Sequence, residues 1–150
     1  MPVQSVNFYL LNEQTTISRE IAVCHLVEQY YLNGQRVFIW CDNEEQAHTV
    51  DELLWTFNNT SFIPHNLEGE GPDFPPPIQI GYKLKPRPFF NDVLLLLSTN
   101  IPSFHTQFRE IIELMPPDEK TKTKGRIRYK QYKALKYQLN IKEYSNPLSE

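Results

Sequence analysis

The sequence is short of the residues that build common catalytic and cofactor sites. It has five glycines in 150 residues. None stands in "LLNEQTTISRE", the segment after the first apolar run. A dinucleotide-binding turn needs G-x-G-x-x-G there, so that backbone can approach a pyrophosphate. No Walker A motif occurs, and no G-x-S-x-G elbow for a nucleophilic serine. "GEG" at Gly69 to Gly71 is flanked by Glu68 and Asp73 and contains Glu70, whose charges would repel a phosphate, so it reads as a flexible turn. The two cysteines, Cys24 and Cys41, have a spacing that fits neither a disulfide framework nor a zinc site. The four histidines, His25, His48, His65 and His105, lack the i, i+4 partner of a zinc helix. Paired carboxylates such as Glu44-Glu45 and Glu68-Glu70 read as solvated charge. No run approaches the roughly 18 uninterrupted apolar residues of a spanning helix. The start, "MPVQSVNFYLLNEQ", has no basic segment before its apolar run, which predicts no secretory leader. The expectation is a soluble cytoplasmic protein with no catalytic activity, no cofactor, no metal and no membrane contact.

What is present describes a globular chain: 40% hydrophobic, 13% aromatic and 22% charged residues. The length suits one ordinary domain, and residues 1–150 read as a single α/β domain whose last few residues fray. "VNFYLL" predicts a strand over Val6 to Leu11, closed by the polar turn "NEQTT". Thr16 or Ser18 can cap the helix that follows, and Asn33-Gly34 can end it. "RVFIWC", Arg36 to Cys41, is apolar throughout, as suits a strand covered on both faces of a parallel sheet. Asp42 or Asn43 caps a second helix, "EEQAHTVDELLWTF". Strand, helix, strand, helix over the first 57 residues predicts a layered α/β domain with right-handed crossovers. The Pro/Gly-rich stretch "NNTSFIPHNLEGEGPDFPPP" reads as turn chemistry. "IQIGY", "NDVLLLLS" and "REIIELM" read as strands, and "IPSFHTQF" as a turn or short helix. Pro116-Pro117 opens a last helix over about Asp118 to Gln138.

Two features ask for a partner. The net charge of −3 hides an asymmetry: residues 120–142 hold nine of the fifteen basic side chains and no carboxylate. The other residues hold six basic against eighteen acidic side chains, a balance of −12. On a helical wheel Lys122, Arg126, Tyr129, Lys130, Lys133, Lys136 and Tyr137 share one side, with Ile127, Ala134 and Leu135 opposite and able to face the sheet. Cations interleaved with tyrosines suit an anionic, partly aromatic ligand, although a solvated basic helix end is as good an account of the pattern. The strip is too short for a duplex beside an acidic body, and an acidic peptide matches better. The second feature is "LLWTFNNTSFIPHNL". Its Trp55, Phe57, Phe62 and Ile63 can close the core or form an exposed partner patch, and periodicity favours the core.

In order along the chain, "FYLL", "GQRVFIWCDNEEQAHTVDELLW", "SFIPHNLEGEGP" with "PIQI", and "RYKQY" resemble the chi subunit family of bacterial DNA polymerase III holoenzymes, over about Val6 to Asn140. The resemblance implies a Rossmann-like three-layer α/β/α sandwich with a largely parallel central sheet. It implies a non-catalytic accessory of the clamp-loader assembly in DNA replication. It implies a one-to-one heterodimer with the psi subunit, which tethers the chain to the rest of the clamp loader. It also implies binding of the acidic C-terminal tail of single-stranded-DNA-binding protein. The psi-facing surface falls on Trp55, Phe62, Ile63, Pro64 and His65, against the burial that periodicity favours. The tail pocket falls on Lys122, Arg126, Tyr129 and Lys130. The chain departs from the family in the stiff, apolar "DFPPP" and in the acidic end "IKEYSNPLSE".

Two rival readings stand beside this one. A nucleotide-binding enzyme on a Rossmann-like fold is not excluded by fold class, though the missing glycine fingerprint speaks against it. Direct single-strand DNA binding would use Tyr129, Tyr132 and Tyr137 as stacking platforms. The acidic body predicts no such binding at physiological salt.

Overall fold

The computed structural model describes residues 4–11, 18–58, 62–69, 76–87 and 90–144. Among the described residues, seven parallel strands form one sheet. They are β1 (Ser5–Leu10), β2 (Val37–Trp40), β3 (His65–Leu67), β4 (Ile78–Gly81), β5 (Val93–Leu96), β6 (Glu110–Met115) and β7 (Gln138–Glu143), in the order β3-β4-β2-β5-β6-β1-β7. Two helices, α1 (Arg19–Leu32) and α2 (Glu44–Thr56), cover one face, and α3 (Glu119–Ala134) with a 3-10 turn at Ser103–Gln107 covers the other. This is the three-layer α/β/α sandwich expected. The sheet is entirely parallel, and its central strands are apolar because helices shield both faces.

Local chemistry sets the first two helices. Ser18 caps α1 by accepting from the Ile21 amide at 3.2 Å, and Asn43 caps α2 by accepting from Gln46 at 2.8 Å. Of the alternatives, Thr16 lies outside the described residues. Asp42 instead accepts from the Thr99 amide and hydroxyl, tying the end of β2 to the end of β5. Gly34, at φ +79°, ends α1 in the left-handed conformation that glycine accepts without strain.

Three expectations need correction. His65–Leu67 is a short edge strand and not turn, because its backbone pairs with β4. The last helix stops at Ala134, and 138–143 form β7, paired with β1. There Lys136 takes φ 66°, while Tyr137 donates to the Tyr132 carbonyl and Lys136 to that of Lys133. That is a Schellman ending with lysine where glycine is usual. Third, Ile127 and Leu135 are about half exposed and Ala134 is exposed; the buried positions of α3 are Gly125, Arg128 and Tyr132. The expected fraying of the chain's end falls on 145–150, outside the described residues, whereas Ile141–Glu143 of that end lie in β7.

A non-glycine side chain in the left-handed region is strained by about 1–2 kcal/mol. Lys136→Gly should therefore raise stability by roughly 0.5–1 kcal/mol, net of the entropy glycine loses on folding. Urea denaturation is the check, and an unchanged midpoint would count against the strain.

Candidate functional site

Helix α3 has little apolar surface with which to hold the sheet. It docks through a buried polar network instead. Asp118 caps it, accepting from the Thr121 amide at 3.0 Å, and that bond holds the Asp118 carboxyl below its ordinary range. Three turns on, Arg128 Nε donates to Glu113 Oε1 at 2.8 Å, and Tyr132 donates its hydroxyl proton to Glu113 Oε2 at 2.7 Å. Arg128 Nη1 also donates to the Thr99 carbonyl at 2.9 Å. Glu113, Arg128 and Tyr132 are all buried. Burial pushes the Glu113 carboxyl up, and the Arg128 charge and the Tyr132 hydrogen bond pull against it. Burial also pushes the Tyr132 hydroxyl up, so it stays a donor.

This docking turns Lys122, Arg126 and Tyr129 toward one pocket of about 370 Å³. Phe8 and Leu10 of β1, Met115 of β6 and Ile141 of β7 complete its lining. Tyr129 meets Phe8 with ring centroids 5.6 Å apart. Gly125 lets the helix settle on the pocket floor, since a methyl there would overlap Met115 Cε. Arg126 reaches Glu119 Oε2 at 3.8 Å across the exposed helix surface. The arrangement is an apolar cavity with cations at its mouth. Of the four residues expected in the tail pocket, it gathers three. Lys130 is exposed on the same helix and does not line the cavity.

The wheel erred for Tyr137, and the stacking reading for both Tyr132 and Tyr137. Tyr137 is buried, with its hydroxyl 2.6 Å from His105 Nδ1, and Tyr132 is fully buried. Neither can act as a stacking platform for single-stranded DNA.

At the end of α2, Trp55 is 54% exposed, and Phe62 beside it is 67% exposed, with ring centroids 5.8 Å apart. Periodicity was wrong about these two and right about Ile63, which is 2% exposed in the core under α1 and α2. Pro64 is half-buried between them. The His65 side chain lies beneath the aromatic pair, 4.6 Å from the Trp55 ring centroid. Its Nδ1 is 2.7 Å from the Ile63 carbonyl and its Nε2 is 3.2 Å from Asp51 Oδ1. So Trp55, Phe62 and His65 form one corner, with Ile63 as its buried footing.

Sequence reasoning missed three residues. The sequence reading singled out neither Arg128 nor Glu113, whose burial is explained by a partner fifteen positions away. Glu68 looked like solvated charge in an acidic loop. It accepts from the Tyr82, Lys83 and Leu84 amides at 2.5, 2.6 and 3.0 Å, filling a backbone anion nest. Among the described residues, no three His, Cys, Asp or Glu side chains group to hold a metal, and no helix is long and apolar enough to cross a membrane.

The family model for the DNA polymerase III chi subunit, HolC, matches residues 3–140. This chain belongs to that family. It is 36% identical to the DNA polymerase III subunit chi of Escherichia coli K12 over 142 residues, 92% of this chain and 97% of that one. It is 38% identical to the subunit chi of Haemophilus influenzae over 128 residues, 85% and 89% of the two chains. Against the subunit chi of Pseudomonas aeruginosa the identity is 28% over 134 residues, 89% and 92% of the two chains. The chi-family match covers β1, α2, β6 and α3 whole and ends before Ile141 of β7.

Removing Arg128 would leave a buried carboxylate with one donor. Arg128→Met should cost about 3–5 kcal/mol at pH 7. A carboxyl raised in the folded state is penalised above its unfolded pKa, and the penalty fades as pH falls through the folded value toward the unfolded one. The loss should thus shrink between pH 7 and pH 5, and Glu113→Leu added to Arg128→Met should recover part of it. Denaturant melts of both variants at the two pH values test this; a loss independent of pH and of Glu113 would rule it out.

Proposed function

We propose that this chi-family chain is a non-catalytic accessory subunit of the DNA polymerase III clamp-loader assembly, joining two other proteins. The aromatic corner of Trp55, Phe62, Ile63, Pro64 and His65 pairs one-to-one with a psi subunit, which tethers the chain to the rest of the clamp loader. The pocket under α3 takes the acidic C-terminal tail of single-stranded-DNA-binding protein.

The observation that carries this reading is the pocket itself, with Lys122 and Arg126 over an apolar floor. A tail that ends in aspartates and a phenylalanine with a free carboxylate matches each part. The ring enters between Phe8, Leu10, Met115, Tyr129 and Ile141. Arg126 grips the carboxylate by two parallel hydrogen bonds, and Lys122 meets the aspartates as a point charge. Lys130 adds long-range attraction from outside the cavity. Arg126 gives up little in leaving Glu119, because an exposed pair is worth roughly 0–1 kcal/mol. At the other corner, Trp55 and Phe62 keep two aromatic rings exposed side by side, which suits an anchor for a protein partner. The acidic remainder of the chain disfavours direct contact with DNA.

Arg126→Ala should weaken binding of an acidic, phenylalanine-ended peptide by about 1–3 kcal/mol, and added salt should weaken it further. Fluorescence anisotropy of a labelled peptide measures both, and an unchanged affinity would place the tail elsewhere. Trp55→Ala with Phe62→Ala should cost psi binding at least about 2 kcal/mol while leaving peptide affinity intact. Co-purification with psi and the same peptide titration separate the two; loss of both would mean one shared surface.

A further inference from the structure

A second cavity, of about 320 Å³, opens at the carboxyl ends of β2, β4 and β5. It is separate from the α3 pocket and shares no lining residue with it. Its position follows from the winding of the chain. The segment leaving β2 runs to α2, on the face of α1 and α2. The segments leaving β4 and β5 place Phe90 and Phe104 in the core on the opposite face. β2 lies between β4 and β5, so the connections part on either side of it. In open α/β sheets, ligands bind in the crevice that such a parting leaves.

The lining has the chemistry for an anionic ring compound. Trp40 and Phe104 meet edge to face at 4.9 Å, and both are half-buried. Tyr82 stands on the side of β4. Lys83 and Lys85 project from the turn after β4, exposed and with no carboxylate within ion-pair distance among the described residues. That turn is held in place by the Glu68 carboxylate on its amides, so the two lysines stand on an ordered support. The acid that faces the cavity, Asp42, has both oxygens taken by Thr99, at 2.8 and 3.0 Å. The Ser98 hydroxyl is spent on the Asn100 carbonyl at 2.8 Å, and burial pushes the Cys41 thiol up to about 12, so neither offers a nucleophile.

We propose that this crevice binds a nucleoside monophosphate, its base against Trp40 and Phe104 and its phosphate on Lys83 and Lys85. The volume sits at the low end of small-ligand sites, roughly 300–1,000 Å³, which suits one nucleotide and not a dinucleotide. Without a glycine loop, backbone does not reach the phosphate, and recognition falls on lysine side chains. Binding should accordingly be weak and salt-sensitive. The site is one of binding without turnover, and it stands independently of the two protein contacts proposed above.

Titration of the full chain with dAMP, followed by NMR of the two tryptophan indole N–H signals, tests this. The Trp40 signal should move and saturate in the millimolar range, while that of Trp55, at the distant aromatic corner, stays fixed. Lys83→Ala with Lys85→Ala should weaken dAMP by about tenfold or more, as loss of charge-assisted hydrogen bonds does. The same double variant should leave acidic-peptide affinity unchanged. A pentanucleotide arm distinguishes a free nucleotide from one in a strand, since tighter binding by the strand at the same Trp40 signal would identify the strand as the source. The proposal fails if dAMP leaves Trp40 unmoved, if inorganic phosphate alone reproduces the shift, or if the double lysine variant binds dAMP as well as the parent.

Discussion

The buried carboxylate of Glu113 reaches from the middle of the sheet to two residues of α3, and the placement of that helix depends on it. In sixteen residues α3 offers the core one fully buried ring, Tyr132, and no large aliphatic side chain. Burial of apolar area, which seats α1 and α2, is too small here to fix a helix by itself. A hydrogen-bonded ion pair is a directional substitute. It sets both the rotation of the helix and its position along the strand. The basic face then follows: with Arg128 and Tyr132 inward, Lys122, Arg126 and Tyr129 come to the pocket.

The network extends beyond the helix. Arg128 also holds the Thr99 carbonyl, while Asp42 holds the amide and hydroxyl of the same residue. So the ends of β2 and β5 are laced to the middle of α3 through a single threonine, and Arg128 ties the same helix to Glu113 of β6. The cationic pocket and the crevice between the strand ends lie on either side of this lacing. The aromatic corner is independent of it. It rests on Ile63 and on His65, wedged between the Ile63 carbonyl and Asp51.

Much of the fold was legible because its signals are local. Ser18, Asn43 and Asn33-Gly34 mark helix ends through contacts made within a few residues. The apolar runs "RVFIWC" and "VLLLL" announce covered parallel strands. What was not legible depends on distant partners. β7 was hidden because Lys136 occupies a left-handed position with no glycine to mark it, so the lysine-rich pattern read on as helix. β3 is three residues in a Pro/Gly-rich stretch and exists through pairing with β4. The inner face of α3 was misread because hydrophobicity chose Ile127 and Leu135, whereas charge pairing across the core chose Arg128. Lys122 and Arg126, named by the family resemblance, line the cavity; its apolar floor, assembled from β1, β6 and β7, has no contiguous signal in the chain.

The pairing of β7 with β1 has a consequence for how the chain is made. The floor of the cationic pocket joins Phe8 and Leu10 to Ile141, residues more than 130 positions apart. During translation the first strand leaves the ribosome long before its outer neighbour exists, and one flank stays open until β7 emerges. An incomplete nascent polypeptide therefore lacks this pocket, whose floor closes only once the seventh strand has been synthesised.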